Sequence, residues 1–196
     1  MPARPLETAP EVEVRSRAEL RAWLGANAAG SSGVWLVTFK KSEGHLYVSV
    51  EEIVLECLAH GWVDSLTRGK DERRSMLWIS PRRKGSNWSR VNKALVARLE
   101  AEGLMTPAGR AAVERAKADG TWTALDGVEA LELPPDLAAA LPGGLREVWE
   151  GWPRSVKRGA LEILLNAKRP ETRAAKVAAI REAAERGERP FQWRKA

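Results

Sequence analysis

The sequence is poor in the residues that bind metals and form covalent cross-links. It contains one cysteine, Cys57, and two histidines, His45 and His60, among 196 residues. A single thiol excludes an intramolecular disulfide and any metal site built from several cysteines. Two histidines are too few for a histidine-rich centre. We therefore expect no disulfide and no metal site.

Long apolar runs are also missing. No uninterrupted run approaches the roughly 18 residues that a membrane span requires. Prolines and an acid occupy the first ten positions, where a signal peptide carries its apolar stretch. The expected location is the cytoplasm, and a lone thiol suits that reducing compartment.

Motifs for common enzyme chemistry are absent as well. The sequence has no nucleotide-binding loop, nucleophile elbow, zinc-binding helix or glycine-rich dinucleotide turn. We therefore expect no cofactor. A binding protein is favoured, with an enzyme of unknown reaction as the alternative.

What is present is an uneven distribution of charge on an ordinary globular composition, with a net charge of +6. The net charge is −3 over residues 1–67, +7 over 68–93, −5 over 94–152 and +7 over 153–196. Two basic segments separated by an acidic one are typical of solvated surfaces. They also fit an anion-binding face, with nucleic acid as one partner.

The first half of the chain alternates between helix and strand patterns. A helix is predicted over residues 17–28, with Ser16 as its N-cap, and a strand over 33–40. Ser49 and Glu52 form a capping box for a second helix that ends at Gly61. Two short strands are expected next, at 62–66 and 75–80.

The strand at 33–40 is apolar on both faces. Trp35, Val37 and Phe39 alternate with Val34 and Leu36, which predicts a strand covered on both sides. We expect one cover to be a helix over 87–103, whose apolar stripe is Trp88, Val91, Leu95 and Leu99.

The second half is predicted to be mostly helical. Thr106 and Pro107 start one helix, Pro135 and Pro153 each start another, and the last spans 171–186. The fold class is therefore α+β, with a small antiparallel sheet and helices in the N-terminal half. We expect a loose N-terminal arm, an α/β subdomain and a helical subdomain that form one cooperative unit, over residues 1–11, 12–84 and 85–196.

The densest cluster of chemistry-bearing residues lies at 80–92, where a basic loop runs into a predicted helix. Free backbone N–H groups at a helix N-terminus bind anions. The expected pocket for a small anionic ligand is lined by Asp64, Arg82, Ser86, Trp88, Ser89 and Asn92. The alternative is structural: Ser86 caps the helix, Trp88 is core, and Arg82 pairs with an acid such as Asp64.

Two groups in the second helix are expected to be structural. Cys57 lies on the apolar face and is predicted to be a buried, inert thiol. His60, at the end of the helix, is predicted to interact with the last carbonyl groups.

An ordered series of short motifs resembles the YdeI/OmpD-associated family, also labelled bacteriocin-protection, over about residues 14–186. The resemblance implies a small bacterial α+β protein, associated with resistance to bacteriocins or antimicrobial peptides and without an established reaction. The motifs are Ser49-Val-Glu-Glu52, Cys57-Leu-Ala-His-Gly-Trp-Val-Asp64, Ser80-Pro-Arg82, Ser86-Asn-Trp-Ser89 with Asn92, Gly103-Leu-Met105, Gly109, Gly120-Thr-Trp122, Pro135-Asp-Leu137, Ala167-Lys168 and Thr172-Arg173.

Two functions follow as hypotheses. The first is a non-enzymatic binding or protection protein that uses the 80–92 pocket, with an enzyme acting on a small anion as its alternative. The second is weak, sequence-independent nucleic-acid binding through the two basic segments, with Trp152 and Trp193 stacking on bases.

The net charge also limits how the protein could protect against cationic peptides. A protein with a net charge of +6 binds such peptides poorly by electrostatic attraction, so any protection is expected to be indirect. The sequence leaves the oligomeric state open.

Overall fold

A four-stranded sheet organises the first of two units in the computed structural model, which describes residues 6–191. The first unit ends at Trp122 and the second begins at Thr123. The sheet order is β1-β2-β4-β3, with β1 parallel to β2 and the other pairs antiparallel. The strands are β1 Glu11–Glu13, β2 Val34–Phe39, β3 Trp62–Gly69 and β4 Arg74–Pro81. The α+β class is confirmed, but the sheet is mixed because β1 adds a parallel edge.

Two helices cover one face of this sheet. Helix α1, Arg17–Asn27, begins at Ser16, whose hydroxyl accepts the Glu19 N–H (3.2 Å). Helix α2, Val50–Ala59, begins at the predicted capping box. The apolar residues of both helices form one core with the strands. Strand β2 is buried along its whole length. This core contains Leu20, Leu24, Ile53, Cys57, Val34, Leu36, Leu77 and Ile79.

The opposite face is covered by the N-terminal segment. Trp35, Val37 and Met76 are buried there against Leu6 and Ala9. The Trp35 indole N–H donates to the Leu6 carbonyl (2.7 Å). The expectation of a loose arm over 1–11 is therefore wrong from Leu6 onward, since Leu6–Thr8 forms a 3₁₀ helix and Glu11 opens β1.

Helix α3, Arg90–Ala101, packs on α2, and its buried residues belong to the α2–α4 core. The prediction that a helix over 87–103 covers the sheet is therefore wrong. The helix also starts later than predicted, and Val91, expected to face inward, is 67% exposed. The apolar partners of α3 are Leu55 and Leu58, on the side of α2 turned away from the sheet.

Helix α4, Pro107–Ala118, lies so close to the end of α2 that their backbones are in contact. Thr106, the predicted N-cap, donates through both its N–H (3.1 Å) and its hydroxyl (2.7 Å) to the Ala59 carbonyl. A Cβ atom on Gly109 would lie 2.3 Å from that same oxygen. Only glycine fits at this crossing of α2 and α4.

The second unit is helical in the residues that the structure describes. Its core surrounds Leu137, Trp149, Leu164 and Ile180. The helices that begin at Pro135 and next to Pro153 were predicted, whereas those over 126–130 and 144–151 were not. The boundary expected at 84/85 falls inside the first unit, because α3 and α4 share a core with α2. The helices are α5 Asp126–Ala130, α6 Pro135–Ala140, α7 Gly144–Gly151, α8 Arg154–Asn166 and α9 Pro170–Glu185.

Candidate functional site

The loop between β4 and α3 holds a buried arginine stacked on a buried tryptophan. The Arg82 guanidinium carbon lies 3.9 Å from the centre of the Trp88 ring. Arg82 is 8% exposed and Trp88 is 1% exposed. The backbone fixes the start of this loop, because the Arg82 N–H donates to the Gly61 carbonyl (2.9 Å). Cation–π attraction stabilises such a desolvated pair.

Polar groups of this pair are incompletely satisfied. Arg82 Nη1 donates to the Asn87 carbonyl (3.0 Å). Arg82 Nε and Trp88 Nε1 are buried, and neither has a hydrogen-bond partner in the described part of the chain. A buried donor left without a partner costs about 1–3 kcal/mol. These two N–H groups are therefore positioned to gain from any acceptor that reaches them.

The charge of Arg82 is also uncompensated at close range. Burial lowers the pKa of Arg82 to about 10, against the opposing effect of the Asp64 charge. Within residues 6–191 no carboxylate lies within ion-pair distance of its guanidinium. The Arg82 side chain is thus a desolvated cation whose Nε–H group has no acceptor in the described residues.

A small cavity is lined by both Arg82 and Trp88. Its volume is about 10 Å³, the space of one water molecule or one ligand oxygen. Thr121 and the exposed residues Lys84 and Arg115 also line it. The cavity accepts an oxygen atom but not a whole metabolite.

Asp119 also lines this cavity. Hydrogen bonds from the Thr121 hydroxyl (2.6 Å) and N–H (3.1 Å) lower the pKa of this carboxyl group. The residues that line the cavity therefore carry both positive and negative charges, and the positive charges are in the majority.

The remaining residues of the expected pocket lie around this pair. Ser89 is the N-cap of α3, and its hydroxyl accepts the Asn92 N–H (3.2 Å). Ser86, which the structural alternative named as the cap, donates its N–H to the Arg83 carbonyl (3.2 Å). Asp64 is partly buried in β3 and acts on Arg82 only through its charge. Asp64, Ser86, Ser89 and Asn92 do not line the small cavity.

Cys57 is buried and His60 interacts with a carbonyl group at the end of α2, as predicted, while the inertness of the thiol stays a prediction. Cys57 is buried, and this burial raises the pKa of its thiol well above the ordinary value. The His60 Nδ1 atom is hydrogen-bonded to the Glu56 carbonyl (2.9 Å). Neither group faces the cavity at Arg82.

The sequence reasoning missed a buried ion network. Glu56 is fully buried and binds Arg17 (2.7 Å) and Arg21 (2.9 Å) through its two oxygens. Arg21 also donates to the Leu104 carbonyl (2.9 Å), which joins α1, α2 and the end of α3. The available signal was the i, i+4 spacing of the two arginines on α1.

Part of the charge of the two basic segments is paired with acidic side chains. In the first, Arg73 pairs with Glu43, and Arg74 pairs with both Asp71 and Glu13. In the second, Arg173 and Lys157 are similarly paired. These pairs favour the solvated-surface interpretation over a nucleic-acid face.

Trp152, one of the two tryptophans proposed to stack on bases, does not support a nucleic-acid face. Trp152 is 7% exposed and packs on Trp149 at 5.4 Å between ring centres. It is therefore a core residue. Trp193 lies outside the described residues.

Two further findings concern residues 6–191. No group of three or more His, Cys, Asp or Glu side chains there is placed to hold a metal ion. No helix in that range combines the length and the apolar character needed to cross a membrane.

Comparison with known proteins gives two family matches. Residues 12–112, just over half of the chain, match a family described as a domain of unknown function, DUF8412. Residues 130–187 match the family described as bacteriocin-protection, YdeI or OmpD-associated. No curated protein and no solved structure matches the chain.

The family suspected from the motifs is thus confirmed over a stretch of the second unit. The motifs between Ser49 and Gly109, in contrast, lie in the region that the other family model matches. The chain belongs to the DUF8412 family, and its second unit carries the YdeI or OmpD-associated bacteriocin-protection domain.

Proposed function

We propose that this protein is a non-enzymatic binding protein for a small oxyanion, held at Arg82 and Trp88. The observation that carries the proposal is the pair of buried, unpartnered donors, Arg82 Nε and Trp88 Nε1. Buried polar atoms in native proteins are nearly always satisfied. An anion supplies both an acceptor for the two N–H groups and a counter-charge for the buried guanidinium.

The size of the cavity limits the ligand geometry. A volume of about 10 Å³ admits one oxygen of a phosphate, sulfate or carboxylate group. The rest of the ligand then lies outside, near Lys84 and Arg115. In this proposal Asp64 orients Arg82 through its charge. Ser86, Ser89 and Asn92, which do not line the cavity, shape the loop and the start of α3 that hold Arg82 and Trp88.

A role in bacteriocin protection belongs to the same proposal, because the family matched by the second unit carries that description. With a net charge of +6 the protein repels cationic peptides. The proposed route is therefore indirect and cytoplasmic, through the bound anion, and not through sequestration.

A thermal-shift comparison tests the anion site. Phosphate, sulfate and acetate are compared with chloride at constant ionic strength, since a ligand that binds only the folded state raises Tm by mass action. Trp88→Phe removes one donor and keeps an aromatic ring. The expected result is stabilisation of the wild-type protein by an oxyanion, with an affinity about tenfold lower in Trp88→Phe.

Trp23→Phe is the matched control, since Trp23 packs on Trp62 in a different part of the same unit. It should keep the wild-type affinity. Absence of stabilisation by every oxyanion would show that water alone fills the cavity. Equal stabilisation of wild-type and Trp88→Phe proteins would place the ion elsewhere. Either result refutes the proposal.

A further inference from the structure

The second unit contains a groove of about 320 Å³ with mostly apolar walls. Val128, Leu133, Pro134, Leu161 and Leu165 are among the residues that line it. This volume and composition are typical of sites for small organic molecules, in which a few polar groups fix the orientation of the ligand. The groove lies in a different unit from Arg82, so a ligand bound in the groove does not depend on the oxyanion site.

Two charged side chains border the groove, and one of them is neutralised. Arg173 forms two hydrogen bonds to the Asp136 carboxylate (2.6 and 3.0 Å) and one to the Leu164 carbonyl (2.9 Å). The hydrogen bonds from Arg173 also lower the pKa of Asp136. Glu132, in contrast, has no side-chain hydrogen bond or ion pair within the described ranges. The net charge at the groove is therefore negative.

The backbone holds Glu132 at this position. Leu131 adopts a left-handed conformation with φ 60° and ends α5. The Glu132 N–H then donates back to the Gly127 carbonyl (2.8 Å). The carboxylate reaches over Gly127, because a Cβ atom there would lie 3.0 Å from Glu132 Oε2. Gly127 thus leaves space for this exposed carboxylate beside the apolar walls.

We propose that this groove binds a small amphipathic amine, with its apolar body against the groove walls and its ammonium group beside Glu132. The walls supply the contact area that an aromatic or branched aliphatic body requires. The unpaired carboxylate selects a cation over a neutral or anionic analogue of the same shape.

Three indole derivatives of similar size and different charge provide the test: tryptamine, tryptophol and indole-3-propionate. Each is titrated into the full-length protein, and binding is followed by NMR shifts of the groove methyl groups. Tryptamine should bind about fivefold more tightly than tryptophol, and indole-3-propionate should bind most weakly. The shifts should include those of Val128, Leu133 and Leu165.

Glu132→Gln removes the charge and keeps the shape. In this variant tryptamine and tryptophol should bind equally, with the affinity for tryptophol unchanged. Glu147→Gln removes an exposed carboxylate of α7, which does not line the groove, and should keep the fivefold preference. The proposal is overturned by the absence of binding up to about 10 mM, by shifts outside the groove, or by a preference that survives Glu132→Gln.

Discussion

The close crossing of α2 and α4 makes a sharp prediction for Gly109→Ala. The added methyl group would lie 2.3 Å from the Ala59 oxygen, 2.8 Å from the Ala59 carbonyl carbon and 2.9 Å from the Leu58 oxygen. All three are backbone atoms, so no side-chain rotation can relieve the clash. The start of α4 must instead move away from the end of α2.

The size of the effect follows from that movement. Ordinary contact begins near 3.4 Å, so the helices must separate by about 1 Å. Overpacking of this kind costs about 1–3 kcal/mol. Weakening the Thr106 bonds to Ala59 adds about 1 kcal/mol. The expected loss in free energy of unfolding is about 3 kcal/mol, which lowers Tm by roughly 10 °C.

Urea unfolding followed by circular dichroism measures this loss. Gly25→Ala is the control, because Gly25 lies in α1 of the same unit and a Cβ there meets nothing within 4 Å. It should stabilise the protein by about 0.5–1 kcal/mol. The reasoning is refuted by a Gly109→Ala protein within about 0.5 kcal/mol of wild type, or by equal destabilisation in both variants.

Two further predictions concern α2. Cys57 should not react with a thiol reagent at pH 8 until urea unfolds the protein, because burial raises its pKa; rapid labelling of the native protein would contradict this. Hydrogen bonds from Ser49 lower the pKa of Glu52, so their stabilisation is present at neutral pH and lost as the pH falls below 4.5. Glu52→Gln, which removes the titrating group, should therefore cost about 1 kcal/mol at pH 7, and its urea midpoint should approach that of the wild-type protein as the pH falls below 4.5; parallel pH profiles would argue against this linkage.

Elements with local signals could be predicted from the sequence. Ser16, Ser49 and Thr106 each accept a backbone N–H at the start of a helix, as their positions before apolar repeats indicated. The alternation around Trp35 correctly gave a strand buried on both sides. Caps and periodicity act over a few residues, so a single sequence displays them.

Elements that depend on distant partners were missed. β1 has three residues, Glu-Val-Glu, and exists only because β2 pairs with it. Helix α5 starts without a side-chain cap and has five residues, which leaves no readable pattern. The predicted cover of the sheet by α3 failed for the same reason: an apolar stripe does not specify which of two apolar surfaces it contacts.

The candidate site shows the same limit. Arg82 and Trp88 were chosen from a basic loop before a helix, and the structure places them together. Their unsatisfied N–H groups depend on how α4 and Thr121 enclose the loop, which a local pattern does not encode. That the halves unfold as one cooperative unit stays a prediction.

The position of the N-terminal segment has a consequence for aggregation. β2 reads Val-Trp-Leu-Val-Thr-Phe, with neither charge nor proline, and such hexapeptides stack into cross-β assemblies when an edge is free. β1 occupies that edge, held by ion pairs from Lys70 to Glu11 and from Arg74 to Glu13. Proteolytic removal of this segment would expose a long apolar edge, so β1 protects the protein against self-association.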